Sequence, residues 1–298
     1  MLIQGSRNTA FILVAHHSIA DGLSIAYALR DTISAVGGGF LAPLASLASQ
    51  EEILAARAPR ITVASAVKEQ EGKPAGSPGT YRPLDHARPA VKGLRMERAL
   101  TTSIRDRARQ EGTTVHGALS AAIVIAGRHV FADWQKIPVR VMSPVNIRPL
   151  LGVGENCGVF VSAATGVFDE RPKEFWELAR DAKIAIADGQ TREGATALLG
   201  ALGGIVDKGA EITTAAEFAA AAFVHEALLT NLGELSFANR GPLTLEEMWG
   251  PAVLSGMEGE HTIGVATVNR SICLTHTSHT PSGALLEAMQ SVLIKACQ

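Results

Sequence analysis

The sequence lacks most of what would tie a chain to nucleic acid, to a membrane or to an oxidising compartment. Its formal net charge is −2 and no long basic block runs through it, which excludes the electrostatic footprint of a nucleic-acid or anionic-membrane binder. The three cysteines, Cys157, Cys273 and Cys297, are widely spaced and odd in number, against a disulfide framework and for a reducing environment. Residues Met1 to Arg7 show no signal-peptide order of basic, apolar and small residues. The longest apolar stretches are Ala-rich and broken well short of a membrane span. These absences predict a cytoplasmic protein. No Ser or Cys sits in a Gly-flanked nucleophile elbow either, so the chain offers no obvious nucleophile for an acyl-enzyme. What is present is ample core: 298 residues, 47% hydrophobic and 19% charged, enough for one large or two modest domains.

One short stretch carries chemistry. Residues 16 to 22 read His-His-Ser-Ile-Ala-Asp-Gly, directly after the apolar run Phe11 to Ala15. The pattern HHxxxDG arises by chance in roughly one sequence per thousand of this length. A histidine at the end of a buried strand is rigidly placed, and a neutral imidazole there takes a proton from an alcohol or amine as that group attacks a carbonyl. Asp21 stands where the chain enters a helix from Leu23, placed to cap backbone N–H groups or to pair with a distant arginine. Gly22 permits a close approach and unusual dihedrals in the turn. The plainer alternative is a pair of buried, hydrogen-bonded histidines beside an ordinary Asp N-cap.

Around this motif the chain reads as alternating strands and helices. Ile25, Ala28, Leu29, Ile33 and Val36 recur at helical spacing until Gly37-Gly38-Gly39, a helix stop and not a phosphate loop, since it follows the helix. A short Ala/Leu-rich helix is predicted over Pro43–Ala58. Between Arg60 and Lys92 periodicity dissolves into Gly-Pro and Arg-Pro loop signals, taken as an inter-lobe linker. Beyond it the pattern predicts strands at Leu94–Leu100, Val139–Ser143, Val159–Ala163, Ala227–Thr230, Ala252–Leu254, Thr262–Val268 and Ser271–Thr277, the last two joined by an Asn269-Arg270 hairpin turn. Helices are predicted from Thr102 or Ser103 to Gln110, and over Val115–Gly127 with Thr114 as cap. Further helices are expected over Lys173–Asp188, Ala195–Lys208, Thr214–Phe223 and Gly283–Ala296. Mixed elements with an antiparallel stretch near the end indicate an α/β sandwich. The CxxHxxH series Cys273, His276, His279 has the composition of a zinc site. Alternation along a strand turns His276 away from the other two, so no metal is expected.

These residues resemble the HHxxxDG acyltransferases, the superfamily of chloramphenicol acetyltransferase, condensation domains, alcohol acetyltransferases and polyketide-associated acyltransferases. Thr113 to Ala122 is similar to the threonine-capped, Ala-rich helix of that superfamily's second lobe. Ser143-Pro144-Val145-Asn146-Ile147-Arg148-Pro149, with Gly158 to Ser162 after it, resembles the condensation-domain stretch ending Gly-x-Phe-Val-Asn. Thr230-Asn231-Leu232-Gly233 resembles its Ser-Asn-Leu-Gly turn.

The resemblance implies a chloramphenicol-acetyltransferase-like two-layer α/β sandwich, with a partial first lobe and a complete second one. Its segments would be residues 1–59 carrying the motif, a linker over 60–93 and a second lobe over 94–298. It also implies an acyltransferase of secondary metabolism or lipid biosynthesis, in which His17 is the general base for direct transfer from a thioester to a hydroxyl or amine acceptor. His16, Asp21, Gly22 and Arg148 are then structural at the active site, Arg148 being the candidate partner of Asp21. Ser18, Asn231 and Gly233 shape the channel or hold the oxyanion. No permanent cofactor is implied; acyl-coenzyme A or an acyl-phosphopantetheine carrier is the co-substrate, with a carrier protein or self-association among the possible partners. The plant-type Asp-Phe-Gly-Trp-Gly motif is absent, and Leu202-Gly203-Gly204-Ile205 carries no phosphopantetheine-bearing serine. The alternative is a catalytically incomplete lobe, a binding subunit or a remnant.

Overall fold

The computed structural model describes residues 1–57, 80–82, 87–206, 209, 211–237 and 243–298. Most of the expected linker lies outside them. The chain divides into two compact units.

The first unit comprises Met1–Ile61, Asn146–Val161 and Ser236–Glu246, so a stretch expected within the second lobe belongs with the motif. A two-stranded antiparallel ribbon, β1 (Leu2–Gln4) and β2 (Thr9–Phe11), leads to α1 (Gly22–Val36). The buried strand expected before the histidines is not there. The last backbone pair of the ribbon joins Ile12 to Met1, and among the described residues Ile12, Leu13 and Val14 are exposed. Asp21 caps α1 by accepting from Ser24 N at 2.8 Å, and the helix stops at Gly37, both as the sequence predicts. The next helix, α2 (Gln50–Arg57), begins well after Pro43. Its start is set by a reciprocal cap in which Ser49 Oγ accepts from Glu52 N while Glu52 Oε2 accepts from Ser49 N.

The second unit is a two-layer α/β sandwich. Its sheet is built from β3 (Ala90–Arg95), β4 (Val139–Asn146), β5 (Val161–Phe168), β6 (Ala227–Glu234), β7 (His261–Val268) and β8 (Ser271–Ser278) in the order β3-β8-β7-β6-β4-β5. The strands β4, β6 and β7 run parallel, while β3 and β7 flank β8 antiparallel. Helices α3 (Arg98–Gln110), α4 (Val115–Val130), α6 (Phe175–Ala185) and α9 (Leu285–Cys297) pack on one face. They meet Ile263, Val265, Ile272 and Leu274 of the strands with Ile104, Leu119, Ile123, Leu178 and Met289. Alternation along β7 and β8 puts those four aliphatics on one side, the period-2 signal read in the sequence. The remaining helices are α5 (Arg148–Leu151) in the first unit, and α7 (Arg192–Val206) and α8 (Ile212–Ala222) in the second. The Asn269-Arg270 turn carries φ of 52° and 61°, the double positive φ of a type I′ hairpin.

Predicted boundaries also move in the second unit, where the strand expected at Val159–Ala163 is found at Val161–Phe168. The strand expected at Leu94 starts at Ala90 and α3 starts at Arg98, because β8 pairs residue for residue from Ala90↔Ser278 to Arg95↔Cys273. Ala252–Leu254 forms no strand. That segment crosses the sheet's other face, where Thr275 Oγ1 donates to Pro251 O at 3.3 Å. Gly264 makes this approach possible: a Cβ there would stand 2.0 Å from Pro251 O. Gly264→Ala is accordingly expected to destabilise the second unit by about 1–3 kcal/mol, read as a lower urea midpoint; an unchanged midpoint would show that the crossing segment yields freely.

Candidate functional site

The motif's carboxylate forms the best-defined polar cluster of the first unit. Asp21, 5% exposed, and Arg148, 4% exposed, meet at 2.5 Å through Oδ2 and Nη1, the pairing the sequence suggested. The same Asp21 oxygen accepts from Phe160 N at 3.0 Å. Arg148 Nη2 donates to Ser24 Oγ at 2.7 Å and to Asn156 O at 3.2 Å, while Ser24 Oγ donates to Gly158 O at 2.8 Å. The guanidinium lies 5.0 Å from the centroid of the Phe160 ring. Burial pushes the Asp21 carboxyl up, but Arg148 and the amides of Ser24 and Phe160 outweigh it, and the net shift is downward. Asp21 therefore ties the start of α1 to the 146–161 segment as an ionised carboxylate. Gly22 is the first residue of α1 and is not among the positive-φ residues, so the unusual dihedrals expected of it are not used.

The two histidines precede this anchor on an exposed turn. His16 Nδ1 accepts from Ser18 N at 3.2 Å and lies 2.7 Å from Ser18 Oγ. His17 is exposed, like His16 and Ser18. Among the described residues its side chain has no hydrogen-bond partner.

Asn231 and Gly233 lie in the second unit, at the end of β6. A register shift between Asn231 and Glu234 bulges the strand, and Gly233 takes φ 77° there. Gly233 N donates to Asn231 Oδ1 at 2.8 Å. Of the two residues, the Asn231 amide NH2 is thus the group left to donate. Thr101, Arg105, Val115, Asn231, Gly233 and Thr267 line a small cleft at this end of the parallel strands, the edge at which open α/β sheets take ligands.

One polar contact of the second unit was invisible in the sequence, although both partners lie in stretches that carry the resemblance. His116 Nε2 and Ser143 Oγ are 2.9 Å apart. Desolvation lowers the His116 pKa to about 4. Cys273 and His276 fall on opposite faces of β8, and His276 Nε2 lies 3.1 Å from His261 Nδ1. Among the described residues no group of three or more His, Cys, Asp and Glu side chains is arranged to hold a metal, and no helix is long and apolar enough to cross a membrane.

Fold comparison defines the class. The chain is similar to the structure of polyketide synthase associated protein 5 from Mycobacterium tuberculosis, at TM-score 0.61 and 18% identity over 95% of this chain and 72% of that one. It is also similar to the first condensation domain of the CDA synthetase, at TM-score 0.56 and 16% identity, covering 95% of this chain and 61% of that one. A third neighbour is the PapA2 acyl transferase, at TM-score 0.54 and 14% identity, covering 94% of this chain and 64% of that one. At these identities the likeness is one of fold, and it is the chloramphenicol-acetyltransferase-like fold of condensation domains and polyketide-associated acyltransferases. The chain spans less than two thirds of the latter two neighbours. No curated protein matches it by sequence. The model of the phthiocerol/phthiodiolone dimycocerosyl transferase C-terminus family matches residues 85–238, just over half of the sequence. The chain belongs to that family and so groups with transferases of the condensation and acyltransferase type.

Proposed function

We propose that this chain transfers an acyl group from a thioester, held by coenzyme A or by a carrier protein, to a hydroxyl or amine acceptor, with His17 as general base. The observation that carries the reading is the buried Asp21–Arg148 pair. It fixes the turn that bears His17 and leaves that imidazole open to a substrate. His17 removes the proton of the acceptor O–H or N–H as its heteroatom attacks the thioester carbonyl. The tetrahedral intermediate then collapses, the C–S bond breaks, and the leaving thiolate takes the proton back from the imidazolium. No acyl-enzyme is required, in keeping with the absence of an elbow nucleophile. For Asn231 of the second unit the resemblance implies a part in the substrate channel or at the oxyanion, and its amide NH2 is the donor that part would use. The second reading, a lobe that works only with a partner, is favoured by the exposed apolar residues Leu2, Ile3, Ile12, Leu13 and Val14 of the ribbon and the run after it. Self-association or a carrier protein is the partner this reading proposes.

The test is free-thiol release from a panel of acyl-coenzyme A donors with alcohol and amine acceptors. Acceptor-dependent release is expected, and His17→Ala is expected to lower it about 100-fold or more. Release unaffected by His17→Ala overturns the assignment of the base. No release from folded chain, alone or concentrated, turns the function to the partner-dependent reading.

A further inference from the structure

The turn that bears His17 is closed twice, both times within the first unit. Ile19 N donates to His16 O at 3.1 Å, the backbone bond of a β-turn with His17 and Ser18 at its centre. Across the same turn Ser18 N donates to His16 Nδ1 at 3.2 Å, and Ser18 Oγ lies 2.7 Å from that nitrogen. The imidazole takes the part that an Asn or Asp oxygen takes in an Asx-turn, accepting from the backbone two residues on.

The direction of this second closure is fixed by its backbone partner. An amide N–H can only donate, so Nδ1 is the unprotonated nitrogen of His16, and the proton of the neutral ring is on Nε2. The ring's lone pair is thereby committed to the Ser18 amide and hydroxyl. His16 is left without a free basic nitrogen, whereas among the described residues neither ring nitrogen of His17 has a hydrogen-bond partner. The far side of the turn is held as well. Ala20 is buried, and Asp21 N donates to Gly158 O at 3.0 Å. His17 is thus the one free imidazole on a short span tied down at both ends.

We propose that His16 is a positioning residue and not a second base: its ring, bonded to Ser18, holds the turn so that the imidazole of His17 is presented to the acceptor. The inference rests on the acyl-transfer reading above, and its first measurement needs no turnover. Water exchange of the Ser18 amide, followed by NMR of the full chain, is expected to quicken about three- to tenfold in His16→Ala, the loss of one hydrogen bond. His16→Phe, which keeps a ring but offers no acceptor, should match alanine. His16→Asn, whose Oδ1 accepts from the same amide, should stay near the wild-type rate. Equal exchange in wild type and His16→Phe overturns the proposal, whether or not the chain is active.

Kinetics then separate positioning from base catalysis. In the free-thiol assay His16→Phe is expected to lower kcat about tenfold, the mark of a misplaced base, with the KM of acyl-coenzyme A and of the alcohol little changed. His16→Asn, which takes up no proton at neutral pH, should recover most of that kcat. An asparagine variant as slow as His16→Phe would make the basicity of the imidazole the property that counts, and would overturn the proposal. Wild-type kcat in His16→Phe overturns it too. If wild-type chain turns nothing over, the acyl-transfer reading fails on its own, and amide exchange still decides whether His16 holds the turn.

Discussion

Asp21→Ala is expected to cost the first unit about 3–5 kcal/mol, the penalty of leaving one member of a buried ion pair without its partner. The loss is compound. Arg148 would remain 4% exposed with its charge uncompensated, α1 would lose its N-cap, and Phe160 N would lose its acceptor. Asp21→Asn separates these effects. Asparagine still caps the helix through its one oxygen, but its NH2 stands where Oδ2 accepts from Phe160 N and Arg148, so its cost measures the charge and that acceptor without the cap and should lie between wild type and alanine. Replacing the pair together, Asp21→Leu with Arg148→Met, should recover part of the loss, since two apolar groups leave no stranded charge. The readout is amide exchange at Ser24 and Phe160, whose N–H groups both donate to the Asp21 carboxylate. Unchanged protection of both in Asp21→Ala would show that the segments are joined by something else.

Acid is expected to act as strongly on the second unit. His116, His261 and His276 each have a pKa lowered from 6.5 to about 4, chiefly by burial. His276 is 0% exposed and His261 5%, Phe131 stacks on His261 at 4.3 Å, and the proximity of His276 lowers the His261 pKa further. Glu260 pulls the His261 pKa upward; the backbone at Ser282 and the charge of Glu287 pull that of His276 upward; in each case burial prevails. The sign follows from proton counting. Below pH 6.5 the unfolded chain binds protons that the folded chain refuses, so stability falls as pH drops from about 6.5 and levels off near 4. A shift of this size corresponds to about 3 kcal/mol per imidazole. The Asp21 and Glu260 carboxyls, both held below their ordinary values against burial, add a further loss at lower pH, as each is protonated through its folded pKa. Urea midpoints measured between pH 7.5 and 4 check this. A flat profile over that range would mean the imidazoles are open to water in solution.

How far the sequence revealed this arrangement depended on how local each contact is. The cap of α1, the Thr114 cap of α4, the glycine stop after Val36 and the Asn269-Arg270 hairpin rest on neighbours a few residues apart, and all are found as read. The Asp21–Arg148 pair spans a long stretch of chain, and only the resemblance pointed to it. The start of β3 was misplaced because its partner is β8, far along the sequence, and its own residues, with Lys92 and Gly93 at the centre, read as loop. Ala252–Leu254 reads as strand by its aliphatics alone, but Gly264 admits it as a crossing segment instead. The His116–Ser143 contact carries no sequence signal, since helix and strand periodicity say which face a residue takes and not whom it meets.

The pairing of β3 with β8 also bears on the order in which the molecule is made. Ala90 finds Ser278 and Arg95 finds Cys273, so among the described residues the first strand of the second unit is joined to the last. The β7–β8 hairpin closes locally through its two-residue turn, within microseconds of leaving the ribosome. Until then β3 travels with both backbone edges open, through the synthesis of α3, α4 and α6, while α9 follows only after β8. Its final docking onto the finished hairpin is the step of greatest sequence separation, the kind that sets the pace of folding and leaves a growing chain dependent on holding factors.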